Sequence, residues 1–439
     1  MTRSFRDKKT WWALFAAAAL LFLLANRTAY KGYFLDDDLD TLSWAPWVST
    51  SEFLSTLFSP KLVGPYNFRP VGSYYYHAMV VPFGLDFPKY IVPLQFFHLL
   101  NLGLILVLAR RMGLGPFAAL AGALFWAFHA ILAYATWKPM YIFDVLCTTF
   151  SLLSLVLYAY DRWILSLLAF VFAFRAKELA IMLPAVLATY VMLLGVKHWK
   201  RLIPFFAISL SFGIQALVQS QAKGSPNPYS FRFTLAALAE TVPFYALTLF
   251  PIPCAGLATL ALPFLVRNRR VWFGWTAACL FLAPLLFLPG RMFAVYWYLP
   301  MTGLAIALAA VAASGRRQAM AVVALLALWG PWNAIQTKRV HRSILQIQNL
   351  SRAYVSGLER LAKAQPMRDA FVWQGLPTGF HPWGVTGGIS CVFRLRHQEV
   401  KNINDPGARE MVESGKAPLL KWDEQKEELL LLGPAASGL

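Results

Sequence analysis

The chain has 439 residues, 58% of them hydrophobic, 15% aromatic and only 14% charged, which excludes a soluble globular domain of average composition. Its formal charge of +19 would suit nucleic acid. The basic residues, however, gather at the ends of apolar runs, as the positive-inside distribution of a membrane protein requires, so no nucleic-acid partner is expected.

The runs are long enough to cross about 30 Å of hydrocarbon, which predicts a helical bundle rather than a barrel of ten-residue alternating strands. Arg3, Arg6, Lys8 and Lys9 precede the first run, 11–26. The following "LLANRTAY" is a poor signal-peptide cleavage site, so a retained crossing with a cytoplasmic N-terminus is predicted. Next comes "GYFLDDDLDTLSWAP", residues 32–46, with Asp36, Asp37, Asp38 and Asp40. Up to Pro331 the only other acids are Asp7, Glu52, Asp86, Asp144, Asp161, Glu178 and Glu240. Surface acids need no explanation, yet adjacent carboxylates can also bind a metal or take a proton from an attacking hydroxyl. The same first outer loop, 27–89, carries Arg69 and His77 and an apolar segment, 73–84, predicted as interfacial or re-entrant.

Further crossings are predicted at 90–109, 114–133, 142–160, 163–174, 179–196, 202–219, 251–266, 271–288, 297–313 and 318–332, with 233–250 interfacial. That makes about eleven. Alternation then puts Arg110/Arg111, Arg162, Lys197/Lys200/Arg201, Arg267/Arg269/Arg270 and Arg316/Arg317 on the side of the N-terminus. His98 and Asn101 lie within an apolar run, where helix–helix hydrogen bonds explain them as well as a site does. Cys147, Cys254, Cys279 and Cys391 have no metal-like spacing and predict no disulfide framework. "GSPNPYS", 224–230, reads as a loop between crossings.

After Trp332, apolar residues continue at helical spacing but alternate with charges, and "DAFVWQGLP" then reads as a strand. The expected division is a membrane domain, 1–332, and a small soluble α/β appendage, 333–439, outside the cell membrane by parity. "TGFHPWGVTGG", 378–388, lacks the spacing of a phosphate loop and reads as a plain loop. The tail is expected to be accessory, because its charges and histidines form no recognisable constellation.

A first crossing followed by an Asp-Asp pair, "FRP" and "FHLLN", then "FWAFHAILAYATW", "FDVLCTTFSLLSLVLY", "AKELAIMLP" and "YWYLP" with "TGLAIALA", resembles the integral-membrane glycosyltransferases of the GT-C fold. The resemblance covers roughly 34–313 and is closest to the protein O-mannosyltransferase and tetratricopeptide-containing mannosyltransferase branch, in a bacterial-type form because there is no tetratricopeptide array. It implies inverting transfer of a sugar from a polyprenyl-phosphate donor to an extracytoplasmic acceptor (a protein hydroxyl, a lipid or a glycan) in the bacterial inner membrane.

The resemblance implies Asp36 or Asp37 as catalytic base, and both as ligands if a divalent metal takes part, with Asp38 beside them. Lys177 and Glu178 match its Lys-Glu pair, and Arg291 its basic residue near the lipid phosphate. Arg69 and Lys177 are further cations for that phosphate, whose developing charge guanidinium forks stabilise well. His77 and His98 are added as lining residues. One departure stands out: "FHAILAYATWKPMYIFD" has no acid before Asp144, where related enzymes often carry one. This leaves a non-catalytic relative as an alternative. A transporter or flippase is a third reading, and it calls for polar groups at the midplane on broken helices.

Overall fold

The computed structural model describes residues 2–60, 69–195, 198–222, 228, 230–250, 252, 255–364, 369–396 and 399–432, without the side chains of 2–8 and 219–222. Cys254, Lys197 and most of "GSPNPYS" lie outside the described residues, as do the side chains of Arg3, Arg6 and Lys8. The protein is an all-α polytopic membrane protein with a small C-terminal α/β unit.

Helix α1, Thr2–Ala25, ends at Asn26, whose side chain donates to Phe22 O and accepts from Trp137 Nε1. A short 3-10 turn, Ala29–Lys31, leads into α2, Asp36–Trp44, and then α3, Thr50–Phe58, which starts on a Ser49/Glu52 capping box. The interfacial segment expected at 73–84 is α4, Pro70–Phe83. There follow α5 (Phe87–Arg111), α6 (Pro116–Ala127), α7 (Ala133–Trp137), α8 (Ile142–Ala159), α9 (Trp163–Ala176), α10 (Leu183–Leu194) and α11 (Ile203–Ala222). The membrane part continues with α12 (Leu235–Leu249), α13 (Leu262–Leu265), α14 (Arg269–Leu286), α15 (Pro300–Ala312) and α16 (Arg316–Ala364).

By length and composition, five helices among the described residues can each cross a bilayer, or six if the pair bent by 55° at 128–129 is one span. The crossings predicted at 163–174, 179–196, 251–266 and 297–313 are shorter apolar helices, and the one predicted at 271–288 is the 18-residue α14. Several are shortened by proline: α10, α13 and α15 each have proline in the first turn and are preceded by 3-10 turns, because proline supplies no backbone donor and fits the start of a helix.

Helix α15 lies at the centre of the bundle, and most of its residues are small and buried. A Cβ on Gly274 of α14 would lie 2.5 Å from Ala307 N, and one on Gly303 would lie 2.5 Å from Ala278 N. The two backbones therefore touch, which is the packing that small residues allow where lipid offers no hydrophobic drive.

The expected boundary at 332/333 falls inside α16, which runs on without a break for 49 residues. Hydropathy changes there but helix continues. Asn333 even belongs to the bundle: it donates to Phe128 O at 2.6 Å and accepts from Ala130 N at 2.8 Å, satisfying backbone groups freed by the bend between α6 and α7.

Beyond α16 a four-stranded sheet has the order β2-β1-β3-β4. Strand β1 (Phe371–Gln374) is parallel to β2 (Val400–Asn402) and to β3 (Leu419–Asp423), and β4 (Glu428–Leu432) closes an antiparallel edge. Helices α17 (Pro382–Phe393) and α18 (Ala408–Glu413) complete the unit. The loop expected through 388 is thus a helix from Pro382 onward. Its glycines serve close approach: a Cβ on Gly387 would sit 2.6 Å from Asp40 N, and one on Gly384 would sit 2.7 Å from Asp36 Cα. Cys391 Sγ reaches Leu39 O at 3.4 Å. The tail is packed directly onto the acidic helix.

Candidate active site

Helix α2 opens with Asp36, Asp37 and Asp38 in its first turn, where the exposed amides of a helix start favour carboxylates. The three acids have different surroundings. Asp38 is fully buried; its Oδ2 accepts from Leu35 N at 3.0 Å and its Oδ1 from Tyr76 Oη at 2.6 Å. Burial pushes its carboxyl up to about 7, against those two hydrogen bonds. Asp36 is half-buried against α17, and burial raises it to about 6, opposed by a hydrogen bond from the backbone of His381. Asp37 is exposed and accepts Trp383 Nε1–H at 2.9 Å.

Because Asp36 and Asp38 titrate above the ordinary 3.8, the native state keeps protons that the unfolded chain has released. Their contribution to stability is complete below that value and is lost as pH rises through about 6 to 7. Thermal unfolding at a series of pH values is therefore expected to show falling stability over this window, with a shallower fall in Asp38→Asn. An equal fall in the variant would contradict the assignment for Asp38.

Sequence reasoning missed Lys138, whose one signal was a lone lysine in the turn between two apolar runs. It is half-buried with its Nζ over the Tyr134 ring. Burial lowers its pKa, while Asp38, Asp36 and Asp37 oppose the shift.

A second group of charges lies across α4 and α8. Arg69, which caps α4, donates from Nε to Glu178 Oε2 at 2.8 Å and from Nη2 to Oε1 at 2.5 Å. Lys177 Nζ meets Asp144 Oδ1 at 2.6 Å and stands 4.4 Å from the centre of the Tyr296 ring. Arg69, Lys177, Glu178, Arg291 and Tyr296 share a groove of about 420 Å³ whose other walls include Leu179, Ile181, Met182, Leu217, Phe233 and Leu288. Two aromatic residues link the groove to the acids. Phe143 packs against both Arg69 and Tyr76, and Tyr141 is within electrostatic range of Asp144, Tyr296 and Asp37.

Thus Arg69, Lys177, Glu178 and Arg291 come together in one groove, and Asp36, Asp37 and Asp38 in the adjoining turn. The two histidines do not join them. His77 bonds Ala45 O through Nδ1 and packs on Phe53 and Tyr74. His98 is stacked between Phe22 and Trp126, with its ring nitrogens on Tyr298 Oη and Ala127 O. It is a helix–helix contact, since a buried imidazole with both nitrogens engaged has nothing left for a ligand. Asp144, Tyr296, His381 and Trp383 are the further residues that the structure brings to the site.

The acids do not form a cage for a metal. Among the described residues no three His, Cys, Asp or Glu groups converge, and both oxygens of Asp38 are engaged, by Leu35 and Tyr76. In this arrangement Asp36 and Asp37 do not fit the several converging oxygen ligands that a divalent ion takes.

No protein-family model matches the sequence, and no curated protein matches it. Solved structures do. ArnT from Cupriavidus metallidurans in the apo state aligns with a TM-score of 0.54 at 13% identity, over 94% of this chain and 93% of that one. The same protein bound to undecaprenyl phosphate gives 0.52 and 13%, over 97% and 98%. The arabinofuranosyltransferase AftD from Mycobacteria gives 0.53 and 15%, over 93% of this chain but 35% of AftD. The chain has the GT-C-like fold that its sequence motifs implied.

Proposed function

We propose that this protein is a membrane glycosyltransferase that takes a sugar from a polyprenyl-phosphate donor. The observation that carries the reading is the groove in which Arg69, Lys177 and Arg291 stand beside apolar walls. Cations suit a phosphate and the walls suit an isoprenoid chain. The neighbour bound to undecaprenyl phosphate supports the same ligand class.

In this reading the acceptor hydroxyl gives its proton to the carboxylate of Asp37 as its oxygen attacks the anomeric carbon. The bond from that carbon to the phosphate oxygen breaks, and its electron pair leaves with the polyprenyl phosphate, where the cations stabilise it. Attack opposite the leaving group inverts the anomeric configuration. Glu178 holds Arg69, and Asp144 holds Lys177, so that the cations are set before the donor arrives. The basic ends of the crossings favour a cytoplasmic N-terminus, which puts α2 and the C-terminal unit on the outer face of a bacterial inner membrane. The mannosyltransferase branch suggests a hexosyl donor and, among acceptors, a protein hydroxyl, a lipid or a glycan.

Undecaprenyl phosphate binding to purified protein in nanodiscs tests the donor half. Arg291→Ala is expected to bind about tenfold more weakly or worse, since hydrogen bonds to charged groups contribute about 1.5–3 kcal/mol each. Equal binding by Arg291→Ala and the parent would rule the groove out as the donor site.

A further inference from the structure

We propose that the C-terminal unit supplies the acceptor subsite, in which the exposed ring of Trp383 is a platform for a sugar ring, so that the acceptor is a carbohydrate. This deepens the transferase reading above and rests on it.

Trp383 is 42% exposed although its indole N–H is committed to Asp37. With that hydrogen bond made and one face of the indole covered by His381, what Trp383 still offers a ligand is the opposite ring face. His381 stacks on the indole, and the backbone of His381 also bonds Asp36. The ring is therefore held at the base by two contacts from one turn of chain.

The depth at which it sits is fixed as well. Gly384 and Gly387 leave α17 in backbone contact with α2, and Arg352 of α16 donates to Gly32 O at 2.5 Å and to Lys31 O at 2.9 Å, just ahead of the acids. A tail that merely covered the loop would not need this registration.

The chemistry selects the ligand. A sugar ring has a face of C–H groups and an edge of hydroxyls. The C–H face packs on an aromatic ring by dispersion and weak C–H donation, which directs a hydroxyl from the edge toward the adjoining carboxylate. A serine or threonine side chain has too little apolar area to cover the indole. A bare apolar chain would have no hydroxyl to present to Asp37.

The test uses full-length protein in nanodiscs and two probes: undecaprenyl phosphate, and a panel of fluorescently labelled hexose, pentose and N-acetylhexosamine oligosaccharides. At least one oligosaccharide is expected to bind the parent. Trp383→Ala should weaken it at least about tenfold, a loss consistent with one buried aromatic contact. Trp383→Phe keeps a ring face and should stay within about threefold for binding, while transfer by this variant falls because Asp37 has lost its donor. Undecaprenyl phosphate should bind all three proteins alike, which also shows that the variants are folded. If no oligosaccharide binds, or if Trp383→Ala binds as the parent does, the subsite is overturned. Failure of undecaprenyl phosphate to bind the parent, with oligosaccharide binding still dependent on Trp383, would instead overturn the donor reading and leave the subsite standing.

Discussion

Asp37→Asn is expected to lower sugar transfer at least ~100-fold, the usual scale of a general base, with membrane abundance and thermal stability near those of the parent. Asparagine keeps the size of the side chain and can still accept the Trp383 indole, so the change removes charge and basicity and little else. Asp40→Asn should have little effect. Asp36 differs from Asp37 in being half-buried against Gly384, and its substitution should act partly through the seating of α17. The measurement is transfer from a polyprenyl-phosphate sugar by purified protein in nanodiscs. If Asp36→Asn and Asp37→Asn both transfer at the parental rate, the acids only solvate a turn, and the non-catalytic and transport alternatives move ahead.

The second large effect concerns stability. Lys177 and Asp144 are a buried pair, their side chains 9% and 5% exposed. Asp144→Ala leaves the ammonium without its partner, and breaking a buried pair in this way costs about 3–5 kcal/mol. The variant should unfold at a clearly lower temperature in detergent. Asp144→Leu combined with Lys177→Met should recover much of the loss, since replacing both partners by apolar groups of similar volume is often neutral or better. Recovery of stability without activity would separate the structural role of the pair from its role in the groove. An Asp144→Ala protein that unfolds at the parental temperature would contradict the pairing.

Hydrophobic length made α1, α5 and α8 legible, because about twenty apolar residues leave few alternatives to a crossing. The same criterion overran α10, α13 and α15, where proline at the helix start puts 3-10 turns into the apolar run. It also placed a domain boundary inside α16, because composition changes at 332 while the helix period does not.

At the site, the acids were visible because four of them stand within five positions, and motif resemblance pointed to Lys177, Glu178 and Arg291. Periodicity could not have paired Arg69 with Glu178, which is 109 residues away, or Trp383 with Asp37, 346 residues away. The glycines around Trp383 were misread for a physical reason. Gly384 and Gly387 serve backbone contact within a helix, whereas a Gly-rich stretch next to proline reads as a loop. His98 shows the opposite error: a polar residue in an apolar run suggested a ligand site, but its partners are Tyr298 and Ala127.

Whether this protein transfers sugar from a lipid carrier is decided by mass spectrometry of polyprenyl-phosphate lipids and of envelope glycans from cells whose only copy of it is the parent or Asp37→Asn. The transferase reading predicts that the variant accumulates one polyprenyl-phosphate sugar and loses the matching glycosyl residue from one glycan. Identical lipid and glycan profiles in the two strains, with the variant present in the membrane at parental abundance, would contradict it.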